Sequence, residues 1–468
     1  MRDADKNIDP KWAWEAYTPS KAAPWNLQRV GHLYRRAAFG ATVAELETAL
    51  KAGPEDAVAN LLIGGPNQVE FDRSTAGLAQ SIAKANNDGQ LGSWWLTRML
   101  YTPHPLQEKM TLFWHNHFAT SNAKVQSARF MLDQYELIRS HALGNFGPFL
   151  QAMSRDLAMM VWLDTKGSTK GNPNENYARE LMELFSLGIG HYTEKDIREA
   201  ARAFTGWDVI GTEAVYRKDQ HDDGDKNVLG KKGKWKGEDI VHICLEQEAA
   251  PQFLVTKLFR FFVSESVPAT KELIDPLAEQ YGKSNFDTGA LVKTMLSSNL
   301  FFAPQVYRTR IKSPVEFALG IVRGLEGRIG TSALNTSLEQ LGQHLFHPPS
   351  VKGWDGGPTW LNGQTLLFRQ NLALALTSTE DLRFGSRTDP AALLQKYEKT
   401  EDDETLAFFL KLFLQNDLPA DSRQRLKDYQ QRATKQTIPV FWTEADAANH
   451  RVRALCHLVL TLPEFQLA

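Results

Sequence analysis

Two histidines separated by one residue, His115 and His117, form the motif that most directly suggests metal chemistry. On a β-strand, side chains two residues apart lie on the same face, and His-x-His is a familiar metal-ligand spacing. Residues 106–113 have a helical pattern, however, and on a helix at ~100° per residue the two imidazoles would point roughly 200° apart. They can then share a divalent metal ion only if the helix ends or distorts between them. The alternative is that one histidine packs in the core and the other caps the helix C-terminus.

A second group of polar residues lies in residues 174–188, which have the pattern of a helix with an Asn N-cap and a Gly stop. On such a helix Asn176, Glu180 and Glu183 share one face. A Glu pair three residues apart can bind a metal ion, or can supply a general acid and a general base. We therefore place Glu180 and Glu183 in the predicted catalytic set, and Asn174 and Asn176 among the candidate substrate-binding residues.

Arg179 lies in the same helix and is predicted to stabilise negative charge that develops during a reaction, with Glu175 beside it in the catalytic set. Glu175 and Glu183 are both four residues from Arg179, which is also the pattern of ordinary salt bridges on an exposed helix face. The Glu-x-x-His pair that ferritin-like di-iron bundles repeat on two helices is absent.

A third group lies in the acidic loop that begins at His221. His221 and Asp222 are candidate metal ligands, and Lys226 is a candidate catalytic cation. The loop does not fit the calcium-binding EF-hand pattern, because counting from Asp219 puts Gly230 where that pattern requires Glu. The alternative is an ordinary polar turn.

The fourth motif is an aromatic loop at residues 352–360, which contains Trp354 and Trp360 among glycines. These tryptophans could bind substrate by stacking on a sugar ring or by closing a cleft, or they could simply fill packing gaps. The sequence contains no nucleophile elbow, no phosphate-binding loop, no dinucleotide-binding glycine motif and no His-Glu-x-x-His.

Hydrophobic residues at spacings of three and four predict helices through most of the chain. The predicted helices span residues 43–51, 91–101, 105–118, 128–142, 174–187, 197–204, 253–264, 271–281 and 289–297. Residues 208–242, which are rich in Gly and Lys, are predicted to form a small β-hairpin or strand insertion. The predicted fold class is therefore mainly α, a multi-helix globular fold with this insertion.

The predicted organisation has four parts within one family-sized domain. A Trp- and Pro-rich arm, residues 1–25, precedes a helical half at 26–207, the insertion at 208–242 and a second helical half at 243–468. Because 468 residues exceed the ~250–300 that one hydrophobic core usually organises, we expect two packed sub-cores or one domain with large insertions.

Composition excludes some classes of function. The net charge of −2, from 53 basic and 55 acidic residues, provides no field that would attract nucleic acid. Cys244 and Cys456 are too few for a disulfide framework, although one bridge or two free thiols are both compatible with the sequence. No transmembrane segment and no signal-peptide core is evident, which predicts a soluble cytoplasmic protein as the chain stands, or a periplasmic or envelope protein if a leader has been removed.

Long phrases of the sequence resemble the bacterial family known as domain of unknown function 1800. These phrases are HLYRRAAFG at 32–40, KMTLFWHNHFATS at 109–121, PNENYARELMELFSLG at 173–188, YTEKD at 192–196, AFTGW at 203–207, His221-Asp222, PPSVKGW at 348–354 and LPEFQ at 462–466. The resemblance covers nearly the whole chain in the same order, but it implies no activity. It does imply that the polar motifs belong to one shared site.

Two functional hypotheses follow from these motifs. In the first, the protein is a metal-dependent hydrolase in which His115, His117, His221 and Asp222 hold a divalent metal ion that activates water. In the second, it is a non-catalytic, envelope-associated binding or assembly protein whose His and Glu motifs are structural networks. In either case the expected ligand is a small molecule, a glycan or a peptide.

Overall fold

Helices joined by short turns make up most of the computed structural model, which describes residues 8–378, 381–384, 388–399, 402–433, 439 and 442–468. The helices before the first strand are α1 (Pro10–Trp14), α2 (Leu27–Ala37), α3 (Val43–Ala52), α4 (Pro54–Ile63), α5 (Gln68–Lys84), α6 (Asp88–Tyr101), α7 (Pro105–His117), α8 (Asn122–Val125), α9 (Ala128–His141), α10 (Phe146–Met153), α11 (Leu157–Trp162), α12 (Asn176–Glu180), a π-helix (Leu181–Ser186) and α13 (Glu194–Ala203). Those after the strands are α14 (Gly237–Leu245), α15 (Ala249–Phe262), α16 (Lys271–Lys283), α17 (Thr288–Leu296), α18 (Pro314–Gly324), α19 (Thr331–Gln340), α20 (Gly363–Thr377), α21 (Pro390–Lys396), α22 (Asp402–Leu414), α23 (Ala420–Ala433) and α24 (Glu444–Thr461). The predicted fold class, mainly α, is confirmed.

Local signals explain where many of these helices begin. Pro105 occupies the first turn of α7, where its missing N–H costs no hydrogen bond. Thr193 caps α13 through a reciprocal capping box with Asp196, and Ser313 does the same for α18 with Glu316. The predicted helix boundaries that rest on such residues agree with the structure within a few residues.

Two small antiparallel hairpins lie within the predicted insertion. Their strands are β1 (Trp207–Ile210), β2 (Glu213–Tyr216), β3 (Lys226–Val228) and β4 (Lys231–Gly233). Trp207 pairs with Tyr216 in the first hairpin, and Val228 pairs with Lys231 in the second. The insertion is shorter than expected, because α14 begins at Gly237 with acidic residues in its first turn.

A cluster of buried hydrophobic side chains runs from Ala13 near one end of the chain to Phe465 near the other. Trp14 anchors the N-terminal arm to this cluster: its Nε1 donates to the carbonyl oxygen of Leu273 at 2.8 Å, and its ring packs on Phe259. Trp25 is held in the same way by the carbonyl oxygen of Ala49, 3.2 Å away. Residues 1–7 of the predicted arm lie outside the described residues.

The predicted helix at residues 174–187 differs from the structure in two respects. It begins two residues later, because Asn174 forms a turn in which its Oδ1 accepts from the backbone N–H of Asn176. After Glu180 it changes from an α-helix to the π-helix. The α-helical spacing that would place Asn176, Glu180 and Glu183 on one face therefore ends at Glu180.

Both cysteines, Cys244 and Cys456, are buried free thiols. Among the helices that the structure describes, none combines the length and apolar character that crossing a membrane requires.

Candidate functional site

An open cleft of about 960 Å³ lies where α7, the π-helix, α15 and the segment 343–360 meet. Four side chains predicted from the sequence line it: His117, Glu183, Trp354 and Trp360. They come from three motifs that are far apart in the chain. Tertiary packing therefore brings part of the predicted site together.

His115 does not reach this cleft. Its Nε2 accepts a hydrogen bond from the backbone N–H of Phe346 at 3.2 Å, and its ring packs edge-on against Trp95. Burial lowers the pKa of His115 to about 3, so the imidazole is neutral at physiological pH. His115 is a packed core histidine, as the alternative interpretation of this motif describes.

His117 is the last residue of α7, and the helix is continuous from His115 to His117. Its Nε2 carries the proton, since it lies 3.1 Å from the carbonyl oxygen of Phe185, which can only accept. Its Nδ1 is buried and has no hydrogen-bond partner among the described residues. Burial, together with the charge of Lys257, lowers the pKa of His117 well below its usual value. The two histidines therefore lie in different surroundings.

Asn116, between the two histidines, holds the aromatic loop in place. Its side-chain Oδ1 accepts from the backbone N–H of Trp354 at 2.7 Å, and its Nδ2 donates to the carbonyl oxygen of the same residue at 3.3 Å. Gly353 permits this approach, because it has a φ of +83° and a Cβ there would collide with Asn116. The polar motif of α7 thus positions Trp354 beside the cleft.

Trp354 and Trp360 contribute edges rather than open faces to the cleft. Each is about 8% exposed. Trp354 also packs against the ring of His115. Both tryptophans therefore fill packing space and line the cleft at the same time, which combines the two interpretations of this loop.

The π-helix supplies the opposite wall. Within it the hydroxyl of Ser186 donates to the carbonyl oxygen of Leu181, and two successive N–H groups, those of Leu187 and Gly188, donate to Met182. π-Helices are rare and occur frequently at functional sites. In this π-helix the carbonyl oxygen of Phe185 accepts a hydrogen bond from His117, and that of Leu184 accepts one from Lys257 on α15.

The two glutamates of this segment have different positions. Glu183 lines the cleft, and its Oε2 accepts from the hydroxyl of Tyr192 at 2.7 Å. Glu180 is half-buried and does not line the cleft. Burial and the neighbouring Glu183 raise the pKa of the Glu180 carboxyl.

Lys257, on α15, is the cleft residue whose chemistry stands out, and it was not predicted from the sequence. Among the described residues its ammonium group has one hydrogen-bond acceptor, the carbonyl oxygen of Leu184 at 3.4 Å, and it lies 5.0 Å from the centre of the Phe253 ring. Burial lowers the pKa of Lys257 to about 8, and no charged neighbour in the described part of the chain offsets that effect. One turn later Arg260 also lines the cleft. The available sequence signal was two cations three residues apart on a helix with no other charged residue.

A buried ion-pair cluster, which includes Arg310 and Glu316, lines another part of the cleft. Glu316 accepts from both Lys109 and Arg310, and all three side chains are at most 5% exposed. The second carboxylate oxygen of Glu316 accepts from the backbone N–H of Ser313 at 2.8 Å. Together, these bonds fix the start of α18 against α7.

Three further predicted residues form a surface network away from the cleft. Arg179 makes two hydrogen bonds of 2.8 Å to Glu194 and one of 3.3 Å to Glu175. The predicted pair of Arg179 with Glu175 is thus observed, whereas Glu194 takes the place expected for Glu183. Asn176 donates weakly to Asp164 at 3.4 Å. These contacts are those of a half-exposed salt-bridge network.

The loop at His221 is folded onto itself and also lies outside the cleft. The Nδ1 of His221 donates to the carbonyl oxygen of Thr205 at 2.9 Å. Asp222 is held by two hydrogen bonds from Arg202, and the ammonium group of Lys226 donates to the carbonyl oxygens of Asp222 and Gly224. Each predicted functional group here already has a partner within the protein.

The predicted metal ligands are therefore divided among three places: the core at His115, the cleft at His117 and the loop at His221 and Asp222. Within the part of the chain that the structure describes, no three His, Cys, Asp or Glu side chains are grouped so that they could hold a metal ion.

Comparison with known proteins identifies a family without an assigned activity. The model of the family described as protein of unknown function (DUF1800) matches residues 32–467. No curated protein matches the chain, and no solved structure does. Since the family match spans nearly the whole chain, the protein belongs to the DUF1800 family.

Proposed function

We propose that this protein is a binding protein whose cleft takes an amphipathic organic molecule with an acidic group. This proposal develops the second hypothesis drawn from the sequence. The metal-dependent hydrolase stays a prediction, and the divided positions of its expected ligands give it no geometric support.

The observation that carries the proposal is the state of Lys257. A lysine in a partly desolvated position ordinarily has a carboxylate partner, because an unpaired charge there is costly. Within the described part of the chain, Lys257 has only the distant carbonyl group of Leu184 and the face of Phe253 as partners. An acidic ligand group would supply the missing partner and would form a charge-assisted hydrogen bond.

The rest of the cleft suits an apolar ligand body. Phe253, Phe261, Trp354 and Trp360 line it together with leucines of α7 and the π-helix. The volume of about 960 Å³ lies at the upper end of the range usual for small-molecule sites, roughly 300–1,000 Å³. Apolar walls with a few polar groups are typical of such sites, and this cleft also has charged side chains in its lining, among them Glu183, Arg260 and Glu265.

The test is a fluorescence titration with anilinonaphthalene sulfonate, an aromatic anion, at pH 7. We expect saturable binding to the folded wild type, and Lys257→Met should raise the Kd about tenfold, since a charge-assisted hydrogen bond contributes roughly 1.5–3 kcal/mol. Lys293→Met, which removes an exposed lysine of α17, is the matched control and should leave the Kd unchanged.

Near-ultraviolet circular dichroism establishes that each variant is folded, because this dye also binds loosened states. A Kd that is the same in the wild type and in the folded Lys257→Met variant would contradict the proposal.

A further inference from the structure

A second, small cavity lies between α2, the start of α18 and the end of α22, and shares Glu316 with the lining of the cleft. It measures about 30 Å³. The polar side chains that line it are Tyr34, Arg35, Lys312, Glu316 and Gln415, and the ring of Phe465 also faces it.

The two cations in its wall are incompletely paired. Arg35 is 7% exposed and donates through Nη1 to Gln415, while its Nε and Nη2 are buried without a partner among the described residues. Lys312 is 5% exposed, and its ammonium group lies over the ring of Phe465, 3.6 Å from the centroid, with no hydrogen-bond acceptor in the described part of the chain.

The one carboxylate in the wall, Glu316, cannot neutralise them. Its Oε1 is already shared by Lys109 and Arg310, and its Oε2 accepts from the backbone of Ser313. Arg35, Arg308 and Arg369 add positive charge near Lys312, and only the charge of Glu316 opposes them among the charges that act on it in the described part of the chain. Buried charge in such excess ordinarily has a counter-ion.

The groups around the cluster supply only part of this compensation. Arg308 is paired with Asp417: its Nη1 lies 3.5 Å from a carboxylate oxygen, and the carbonyl oxygens of Asp417 and of Leu414, the last residue of α22, accept from its guanidinium. Arg35 and Lys312 lie beside aromatic rings, which carry no net charge, and neither forms an ion pair with a carboxylate in the described part of the chain.

We propose that this cavity binds one small monovalent anion, a halide ion, between the guanidinium of Arg35 and the ammonium of Lys312. A water molecule occupies roughly 10–15 Å³, and the cavity has room for at least one particle of that size, so a small ion fits it. The ion would be a structural counter-charge that joins α2, α18 and the turn after α22.

Thermal unfolding at constant ionic strength tests this, with sodium chloride replaced stepwise by sodium gluconate, whose anion is much larger than a halide ion. We expect the Tm of the wild type to rise by about 1 °C for each tenfold increase in chloride, because an ion that binds only the folded state stabilises it. The chloride-specific rise should disappear in Lys312→Met and in Arg35→Met, and persist in Lys293→Met. A Tm that follows ionic strength alone, or a rise that persists in a folded Lys312→Met variant, would overturn the proposal.

If both cavity variants fail to fold, crystals of the wild type grown in sodium bromide test the anion site instead. We expect an anomalous scattering peak between Arg35 and Lys312. Bromide peaks confined to the protein surface would refute the site.

Discussion

The ammonium group of Lys257 lies in surroundings that make its charge sensitive to pH near neutrality. Burial lowers its pKa from 10.5 to about 8, so the group is largely charged at pH 7 and largely neutral at pH 9. An anionic ligand should therefore bind more weakly as the pH rises through this range.

We expect the Kd of anilinonaphthalene sulfonate to rise several-fold between pH 7 and pH 9 in the wild type. Lys257→Met should remove this dependence, and Lys257→Arg should keep tight binding at pH 9 because an arginine stays charged. The measurement is a fluorescence titration at each pH. Equal pH dependence in all three proteins would assign the effect to another group.

Glu316 is the single carboxylate that serves two buried cations, Lys109 and Arg310. Glu316→Gln should lower the free energy of unfolding by about 3–5 kcal/mol, since it leaves buried charges unpaired. Urea unfolding at pH 7 measures this, and Glu279→Gln, which affects an exposed pair with Lys283, should leave the midpoint unchanged.

The difference in free energy of unfolding between the wild type and Glu316→Gln should change with pH in a definite direction. The cations beside Glu316 hold the pKa of its carboxyl far below the usual 4.5. Its contribution to stability is therefore complete above about pH 4.5 and declines as the pH falls towards the folded-state pKa. The difference between wild type and Glu316→Gln should shrink below pH 4.5, and a difference that grows there would be inconsistent with this ion-pair cluster.

At the scale of elements, the turn after the π-helix shapes one wall of the cleft. Gly188 has a φ of +85°, and a Cβ there would lie 3.0 Å from the ring of Phe253. Gly190 has a similar φ of +94°, and a Cβ there would meet nothing within 4 Å. Alanine at position 190 therefore introduces backbone strain alone, whereas alanine at position 188 introduces the same strain and a contact with the Phe253 ring.

Gly188→Ala and Gly190→Ala should each lower the free energy of unfolding by about 1–2 kcal/mol through the left-handed backbone conformation. Only Gly188→Ala should also displace Phe253 and weaken binding of anilinonaphthalene sulfonate, by roughly threefold to tenfold. Urea unfolding and dye titration of both variants provide the comparison. Equal loss of binding in the two would show that Phe253 does not shape the site.

The sequence predicted the elements well where local chemistry decides them. The helix start at Pro105 and the glycine stop at Gly188 lie where they were expected. The π-helix was not predictable, because the same side chains fit an α-helix locally. It is accommodated by contacts with other elements, such as that of Phe185 with His117.

At the scale of the whole molecule, the first described residues pack against helices from the middle of the chain. Trp14 bonds to Leu273 of α16 and packs on Phe259 of α15, the helix that carries Lys257. Trp12, two residues earlier, is 41% exposed. Of these two tryptophans, Trp14 rather than Trp12 should therefore stabilise the common core.

We expect Trp14→Ala to lower the free energy of unfolding by about 2–3 kcal/mol, somewhat less than the loss of a fully buried tryptophan. Trp12→Ala should cost at most about 0.5 kcal/mol. Urea unfolding followed by far-ultraviolet circular dichroism reports on all helices at once, and a Trp14→Ala curve that overlays the wild type would contradict this role of the arm.

By itself, the sequence determined the helical class, the bounds of the nine predicted helices to within a few residues, a small strand insertion and the family, because periodicity, caps and turn residues act over a few neighbouring positions. It also marked His117, Glu183, Trp354 and Trp360, which line the cleft. Only the tertiary structure decided that Arg179, His221 and Lys226 are held in local networks, and that Lys257 faces the cleft with no carboxylate partner among the residues that the structure describes. The reason is physical: whether a charge is paired depends on residues distant in the chain, and no local pattern records which of them the folded core brings within a few ångströms.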